Sequence, residues 1–126
     1  MLRVPQARLL QSLIPSDPND SPSEWPIYTR MAMNIRAGYT AISGTSTRAL
    51  NGIRHDTKSG PRHKGLVDLG YVKVIKLNID GVTETNYQIT PAGIKAFQEY
   101  ITENGNSLPP LRDAALCTND RYQKEE

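Results

Sequence analysis

The residues whose types and spacing could do chemistry are concentrated between positions 45 and 54. Six polar side chains lie in this stretch: Thr45, Ser46, Thr47, Arg48, Asn51 and Arg54. An arginine offers a pair of donors to guanine, an asparagine offers a donor and an acceptor to adenine, and hydroxyls bond to bases or phosphates. Ala49, Leu50 and Ile53 form an apolar stripe at helical spacing, so the polar residues from Ser46 to Arg54 would share the opposite, exposed face of a helix.

The net charge of +2 conceals a strongly basic central third. Residues 28–64 hold seven Lys and Arg against Asp56 alone, a net charge of +6, whereas residues 1–27, 65–101 and 102–126 carry −1, −1 and −2. A cationic segment in an otherwise neutral to acidic chain is typical of a surface that binds a polyanion. The distribution favours a nucleic-acid partner, with a merely solvated surface as the alternative.

Groups suited to catalysis or metal binding are sparse. His55 and His63 lie eight positions apart and neither adjoins a pair of carboxylates at ligand spacing, while Cys117 is a single thiol. The chain has no phosphate-binding Gly-x-x-x-x-Gly-Lys string and no nucleophile elbow. We expect a protein that is not an enzyme and that uses neither a cofactor nor a metal.

Length and composition indicate one domain. The chain has 126 residues, 37% of them hydrophobic, with nine Gly and nine Pro, and it can bury one modest core. No apolar run approaches the roughly 20 residues that span a bilayer, so we expect a cytoplasmic protein without membrane contact. Residues 1–105 are expected to form the domain and residues 106–126 a tail or arm.

Hydrophobic periodicity and turn signals predict five helices and one β-hairpin. Apolar residues recur at helical spacing over 4–14 and from Ile27 to Gly38, separated by a loop over 15–26 that is rich in Pro, Ser and Asp. A third helix is predicted over 45–54, capped by Thr45 or Ser46, and a fourth, short one over 61–69. Residues 55–60 break the helical pattern, and residues 55–64, which overlap the start of the fourth helix, form a basic insertion.

The hairpin and the last helix have the clearest signals. Residues 71–79 and 82–89 are rich in branched or alternating side chains, and Asp80-Gly81 between them is a preferred two-residue turn. Thr90 and Pro91 then predict the cap and first turn of a helix over 91–104. Its apolar stripe, which could serve the core or a homodimer, is Ile94, Phe97, Tyr100 and Ile101.

Three strings, GTSTRALNG at 44–52, GLVDLGYV at 65–72 and YQITPAG at 87–93, together resemble the winged helix-turn-helix superfamily, in particular MarR-like and PadR-like regulators. Residues 44–52, GTSTRALNG, are similar to the Thr-x-Ser/Thr-Arg-x-Leu-Asn recognition-helix string of bacterial repressors. Residues 65–72, GLVDLGYV, and 87–93, YQITPAG, are similar to the strings that lead into and out of the wing. The resemblance covers about residues 28–101. It implies a mainly α fold with a three-helical core, a two-stranded wing over 71–89 and a C-terminal helix.

The resemblance also implies that one helix enters the major groove of duplex DNA. Contacts to base edges then fall on Thr45, Ser46, Thr47, Arg48 and Asn51. Contacts to phosphates fall on Arg30, Arg54, Lys58, Ser59, Arg62, His63 and Lys64. The hairpin tip carries Asp80 and Glu84 instead of the basic residues usual in the superfamily, so we do not expect it to contact DNA.

The insertion over 55–64 departs from the family pattern, in which the recognition helix runs directly into the segment before the wing. Either the recognition helix is 45–54 and a basic loop interrupts it, or residues 61–69 are themselves the helix in the groove. The side chains of 45–54 favour the first alternative, because 66–69 are mostly apolar.

The sequence therefore predicts specific binding of double-stranded DNA by a bacterial or phage transcriptional regulator. One alternative is the DNA-targeting module of a larger restriction, phage or mobile-element enzyme. Another is a winged helix that binds a protein partner. A contiguous basic face formed by residues 28–64 would favour DNA, and basic residues scattered around the fold would favour a protein.

Overall fold

The computed structural model describes residues 2–51, 53–54, 61–105 and 108–112, with the backbone alone at 53–54 and 61–63. These residues form four α-helices: α1 (Val4–Leu13), α2 (Arg30–Arg36), α3 (Thr45–Asn51) and α4 (Pro91–Asn104). They also form two antiparallel ribbons, β1 (Ile53–Arg54) with β2 (Pro61–His63) and β3 (Val72–Ile79) with β4 (Val82–Ile89). The described part of the chain is a mixed α/β fold, and its helices and long hairpin confirm the fold class in this coarse form.

The core is built around α1, which packs against α2, α3 and α4. The fully buried apolar residues of α1 are Ala7, Leu9, Leu10 and Leu13. Met33 of α2 and Leu50 of α3 meet these residues. Leu66 from the turns before the hairpin, and Val72 and Ile89 from the hairpin itself, complete the core. Each fully buried aliphatic side chain of this size contributes roughly 1.5–3 kcal/mol relative to an exposed one. This packing fixes α3 against the rest of the domain.

The start of α2 differs from the prediction. Residues 27–29 are not helical, because the backbone of Tyr28 pairs with that of Tyr87 in β4, with N···O distances of 3.1 and 2.9 Å. Thr29 then caps α2 by accepting a hydrogen bond from the Ala32 amide at 3.3 Å. The buried side of α2 consequently contains Met33 and not Met31, which is 43% exposed.

Two arginines join α1 to α2 by bonding to the ends of these helices. The Arg36 Nε donates to the carbonyl oxygen of Ser12 at 2.9 Å, and the Arg8 Nη2 donates to that of Ala37 at 2.6 Å. Arg8 also lies over the ring of Tyr39, 4.2 Å from its centre. Because carbonyls at a helix C-terminus carry partial negative charge, a cation there stabilises the helix.

The predicted helix over 61–69 is wrong. Pro61–His63 is strand β2, paired with β1 in the register Ile53↔His63 and Arg54↔Pro61, and residues 66–70 form turns. A proline is tolerated here because an edge strand leaves one side of its backbone unpaired. The pairing also ends α3 at Asn51, three residues earlier than predicted. These elements remove the alternative in which residues 61–69 form the helix in the groove.

The β3–β4 hairpin and α4 confirm their predictions closely. The register runs from Val72↔Ile89 to Ile79↔Val82. Asp80 and Gly81 have φ of 53° and 81°, the positive values that a tight two-residue turn of this type requires. Thr90 caps α4 by accepting a hydrogen bond from the Gly93 amide at 3.1 Å.

Only part of the predicted tail over 106–126 is described. The Arg112 amide donates to the carbonyl oxygen of Arg36 at 2.9 Å, so the described segment 108–112 returns to the end of α2. Residues 106–107 and 113–126, including Cys117, lie outside the described residues.

Candidate nucleic-acid interface

Asn34, fully buried in α2, fixes the turn that leads into α3. Its Nδ2 donates to the carbonyl oxygens of Ala41 at 3.0 Å and Ser43 at 3.3 Å. The Ser43 hydroxyl in turn accepts a hydrogen bond from the Thr45 amide at 3.2 Å. Ser43 therefore takes the capping bond at the start of α3 that the sequence assigned to Thr45 or Ser46. The direction of α3 is set by bonds from α2.

The five residues predicted to contact bases occupy different positions on α3. Three are exposed along one side of the helix: Thr47, Arg48 and Asn51. Thr45 is half-buried. Ser46 is fully buried on the side of Leu50, and its hydroxyl donates to the carbonyl oxygen of Ser43 at 3.4 Å. Because Ser46 is enclosed and its hydroxyl bonds inside the protein, its side chain is not accessible to a base edge.

Arg30 extends the exposed face of α3 onto the start of α2. Its Nη1 donates to the Thr47 hydroxyl, and both residues are exposed. The two lie 17 positions apart in the sequence, so only the turn between α2 and α3 brings them together. A residue predicted to contact phosphate and a residue predicted to contact a base thus belong to one surface.

A cleft of about 200 Å³ adjoins α3 on its α1 side. Seven residues line it: Arg3, Pro5, Gln6, Thr45, Arg48, Ala49 and Lys64. Three of them are cations, and none of the described lining residues is acidic. The cleft therefore continues the positive surface from Arg48 toward α1.

Gln6 holds the walls of this cleft together. Its side chain is only 4% exposed, and its Nε2 donates to the carbonyl oxygens of Lys64 at 3.0 Å and Ala49 at 3.5 Å. Its Oε1 accepts a hydrogen bond from the Arg3 amide at 3.0 Å. One buried amide thereby ties α1 to α3 and to the segment after β2.

Sequence reasoning missed Arg3 and Gln6. Arg3 immediately precedes α1 and Gln6 lies in its first turn, more than forty residues before Arg48. The one available signal was Gln6 itself, a polar residue three positions from Arg3, which suits an amide that bonds back to the start of a helix. Its long-range bonds to Ala49 and Lys64 leave no trace in a local pattern.

The other predicted phosphate contacts are described only in part. The backbones of Arg54, Arg62 and His63 lie in the β1–β2 ribbon, whereas Lys58 and Ser59 lie outside the described residues. Among the cations of residues 28–64 whose side chains are described, Arg30, Arg48 and Lys64 gather around α3. The fourth is Arg36, which is engaged at the end of α1.

Comparison with known protein families, with curated proteins and with solved structures found no match to this chain. In the part of the chain that the structure describes, none of the helices has the length and apolar character needed to cross a bilayer. The described His, Cys, Asp and Glu residues form no group of three or more that could hold a metal ion. Geometry and charge around α3 are therefore what point to a function.

Proposed function

We propose that this protein binds double-stranded DNA through α3, as a winged helix-turn-helix transcriptional regulator with sequence specificity. The observation that carries the proposal is the exposed face of α3, where Arg48 and Asn51 lie beside the Arg30–Thr47 pair. The B-DNA major groove, about 12 Å wide, admits an α-helix and offers donor and acceptor patterns that Arg and Asn can match.

The order of elements supports the same assignment. A short turn, closed by Asn34, separates α2 from α3, and the β3–β4 hairpin and α4 follow. This order agrees with a three-helical core followed by a two-stranded wing and a C-terminal helix. In such a fold the second helix of the helix-turn-helix unit inserts into the groove and the first crosses the backbone. Here α3 and α2 would take these two roles.

Contacts to the phosphates would come from the cations that flank α3. Arg30 and Lys64 are the described candidates, and the β1–β2 ribbon would add Arg54, Arg62 and His63. Such contacts fix the position of the protein on the duplex and carry no sequence information. The exposed tip of the long hairpin carries Asp80. Its charge opposes close approach to a phosphate, so DNA would meet the domain on the α3 side without help from this tip.

A homodimer through α4 belongs to the same proposal. All four residues of the predicted stripe are half-buried: Ile94, Phe97, Tyr100 and Ile101. Ile94 and Phe97 pack against the core, so Tyr100 and Ile101 are the better candidates for a contact between subunits. Sedimentation equilibrium tests this. We expect the wild type to be a dimer and Ile101→Lys to be a monomer. A monomeric wild type would contradict the dimer.

Selection from a random pool of duplex DNA, followed by sequencing, tests the proposed function. An enriched motif is expected, and binding measured at low salt should favour that motif over a shuffled duplex. Negligible affinity for every duplex at low salt would refute the proposal and favour a protein partner. A DNA-targeting module of a larger enzyme would also enrich a motif, so this experiment tests DNA recognition and not the protein that contains it.

A further inference from the structure

The cleft between α1 and α3 adjoins the face of α3 that is proposed to contact DNA, and it has features of a separate binding site. Its lining includes Arg3, Gln6, Thr45, Arg48 and Lys64. We propose that it is a binding site for a single phosphate group. The phosphate can belong to the DNA backbone or to a small phosphorylated molecule. Binding of a DNA phosphate in the cleft rests on the proposed function. Binding of a phosphate group as such does not depend on it.

Among the described residues, the three cations of the cleft differ from Arg8, Arg30 and Arg36 in having no side-chain partner. Arg8 and Arg36 donate to backbone carbonyls, and Arg30 donates to Thr47. Within the described residues, no side-chain hydrogen bond or ion pair engages Arg3, Arg48 or Lys64. Three cations that have no partner among the described residues and share one cleft repel each other, and an anion placed among them relieves that repulsion.

The shape of the site is held in place before any ligand arrives. Gln6 is buried and bonds to backbone atoms of Arg3, Ala49 and Lys64, which belong to three separate segments of the chain. The Arg48 Nη1 lies 3.8 Å from where a Cβ on Gly44 would sit, so this guanidinium stays close to the start of its own helix. A site whose backbone is already fixed loses less conformational entropy on binding.

The size and charge of the cleft suit one phosphate group. Its volume of about 200 Å³ is below the roughly 300–1,000 Å³ of sites that enclose a whole small molecule. The exposed positions of Arg3, Arg48 and Lys64 leave its mouth open, so the remainder of a larger ligand can stay outside. A phosphate supplies up to about two negative charges and several acceptor oxygens, which match three cations better than a single carboxylate does.

Calorimetric titration with pyrophosphate at constant ionic strength tests the site. The wild type is compared with Arg3→Gln and Lys64→Gln, and with the control Lys95→Gln, which removes one exposed charge on α4 outside the cleft. We expect Kd to rise about three- to tenfold in each cleft variant, less than a fully buried charged hydrogen bond would give because the cleft is open to solvent. Lys95→Gln should leave Kd unchanged.

The proposal is overturned if the wild type does not bind pyrophosphate, or if the cleft variants bind it as tightly as Lys95→Gln does. A two-dimensional NMR spectrum of each variant checks that the fold is kept, and in the wild type the backbone signals of residues 3–6 and 45–49 should shift on titration.

Duplex DNA is then added to the pyrophosphate complex. Displacement of pyrophosphate identifies the DNA backbone as the source of the phosphate, and joint binding identifies a small phosphorylated molecule. The two tests are independent: absence of DNA binding refutes the proposed function, and the pyrophosphate titration alone decides whether the cleft binds phosphate.

Discussion

Arg36 and Arg48 contribute equally to the basic central third of the sequence but occupy different environments. Arg36 donates to the carbonyl oxygen of Ser12 and lies over the ring of Tyr28, 4.6 Å from its centre. Arg48 is exposed on α3. A charge count along the chain treats them alike, because the partners of Arg36 are identified only once α1 and α2 are packed together.

Replacing Arg36 should affect stability and not DNA binding. We expect Arg36→Gln to lower the free energy of unfolding by about 1–2 kcal/mol, because it removes a charged donor from a helix C-terminus and a cation from an aromatic ring. The folded variant should bind duplex DNA as the wild type does. Urea denaturation and a DNA titration measure the two quantities. Arg48→Gln is the matched control, with the opposite result expected, and a loss of DNA affinity in folded Arg36→Gln would contradict the assignment.

Arg48 and Asn51 are the residues expected to determine sequence preference. Loss of a paired contact to a base edge costs about 1–3 kcal/mol, or roughly five- to 150-fold on the preferred site alone. The double variant Arg48→Ala, Asn51→Ala should therefore lose discrimination at particular base positions and keep much of its nonspecific affinity. Selection from random duplexes measures the change. A folded double variant, verified by circular dichroism, with unchanged sequence preference would rule out this role.

Local patterns located the exposed residues of the candidate site better than its buried ones. The apolar stripe through Ala49 and Leu50 correctly predicts that Thr47, Arg48 and Asn51 are exposed. Ser46 looked equally available because a hydroxyl says little about burial, and in the structure it lies on the core side. Gln6 was missed because its side chain bonds to residues that are 43 and 58 positions away in the sequence, Ala49 and Lys64.

Among the secondary-structure elements, α4 depends most clearly on a single small residue. A Cβ at Gly93 would overlap the carbonyl oxygen of Tyr71 and lie only 2.8 Å from Cγ1 of Ile89. Both neighbours belong to the hairpin side of the core. The first turn of α4 therefore approaches the hairpin so closely that only glycine fits.

Gly93→Ala should consequently separate α4 from the hairpin. We expect the free energy of unfolding to fall by about 1–3 kcal/mol, the usual cost of forcing extra volume into a packed site. Chemical denaturation measures it. Gly44→Ala is the control, since the atom nearest to its Cβ would be Nη1 of Arg48 at an ordinary contact distance of 3.8 Å. Equal effects from the two substitutions would show that the close approach at Gly93 is not the cause.

Strong local signals explain which elements the sequence predicted. Asp80-Gly81 specifies the long hairpin and Thr90-Pro91 the start of α4, because each signal acts within a few residues. The β1–β2 ribbon has strands of only two and three residues, too short to show a period of two. The sequence pattern therefore predicts the end of one helix and the start of another in its place, because the pairing joins segments on either side of residues 55–60 and leaves no local signal.

Across the described residues, positive charge gathers around α3. Arg30, Arg48 and Lys64 lie around this helix, joined by Arg3 from the other end of the sequence. The hairpin tip at Asp80 and the exposed acids of α4, Glu99 and Glu103, carry the opposite sign. Part of the +6 charge of residues 28–64 therefore lies on a local surface around α3. Another part, the charge of Arg36, is used in a hydrogen bond inside the protein.

A cationic surface of this kind makes DNA binding depend on salt. Each phosphate neutralised releases counterions, so log K should fall with log salt concentration at a slope of about 0.9 per phosphate contact. Lys64→Gln should weaken binding to all duplexes alike and reduce this slope by about one, because a phosphate contact carries no base information. Lys95→Gln on α4 should leave both affinity and slope unchanged. Titrations at several salt concentrations, on the selected site and on a shuffled duplex, measure the slopes. If Lys64→Gln altered sequence preference, or left the slope as it is in Lys95→Gln, Lys64 would not be a phosphate contact.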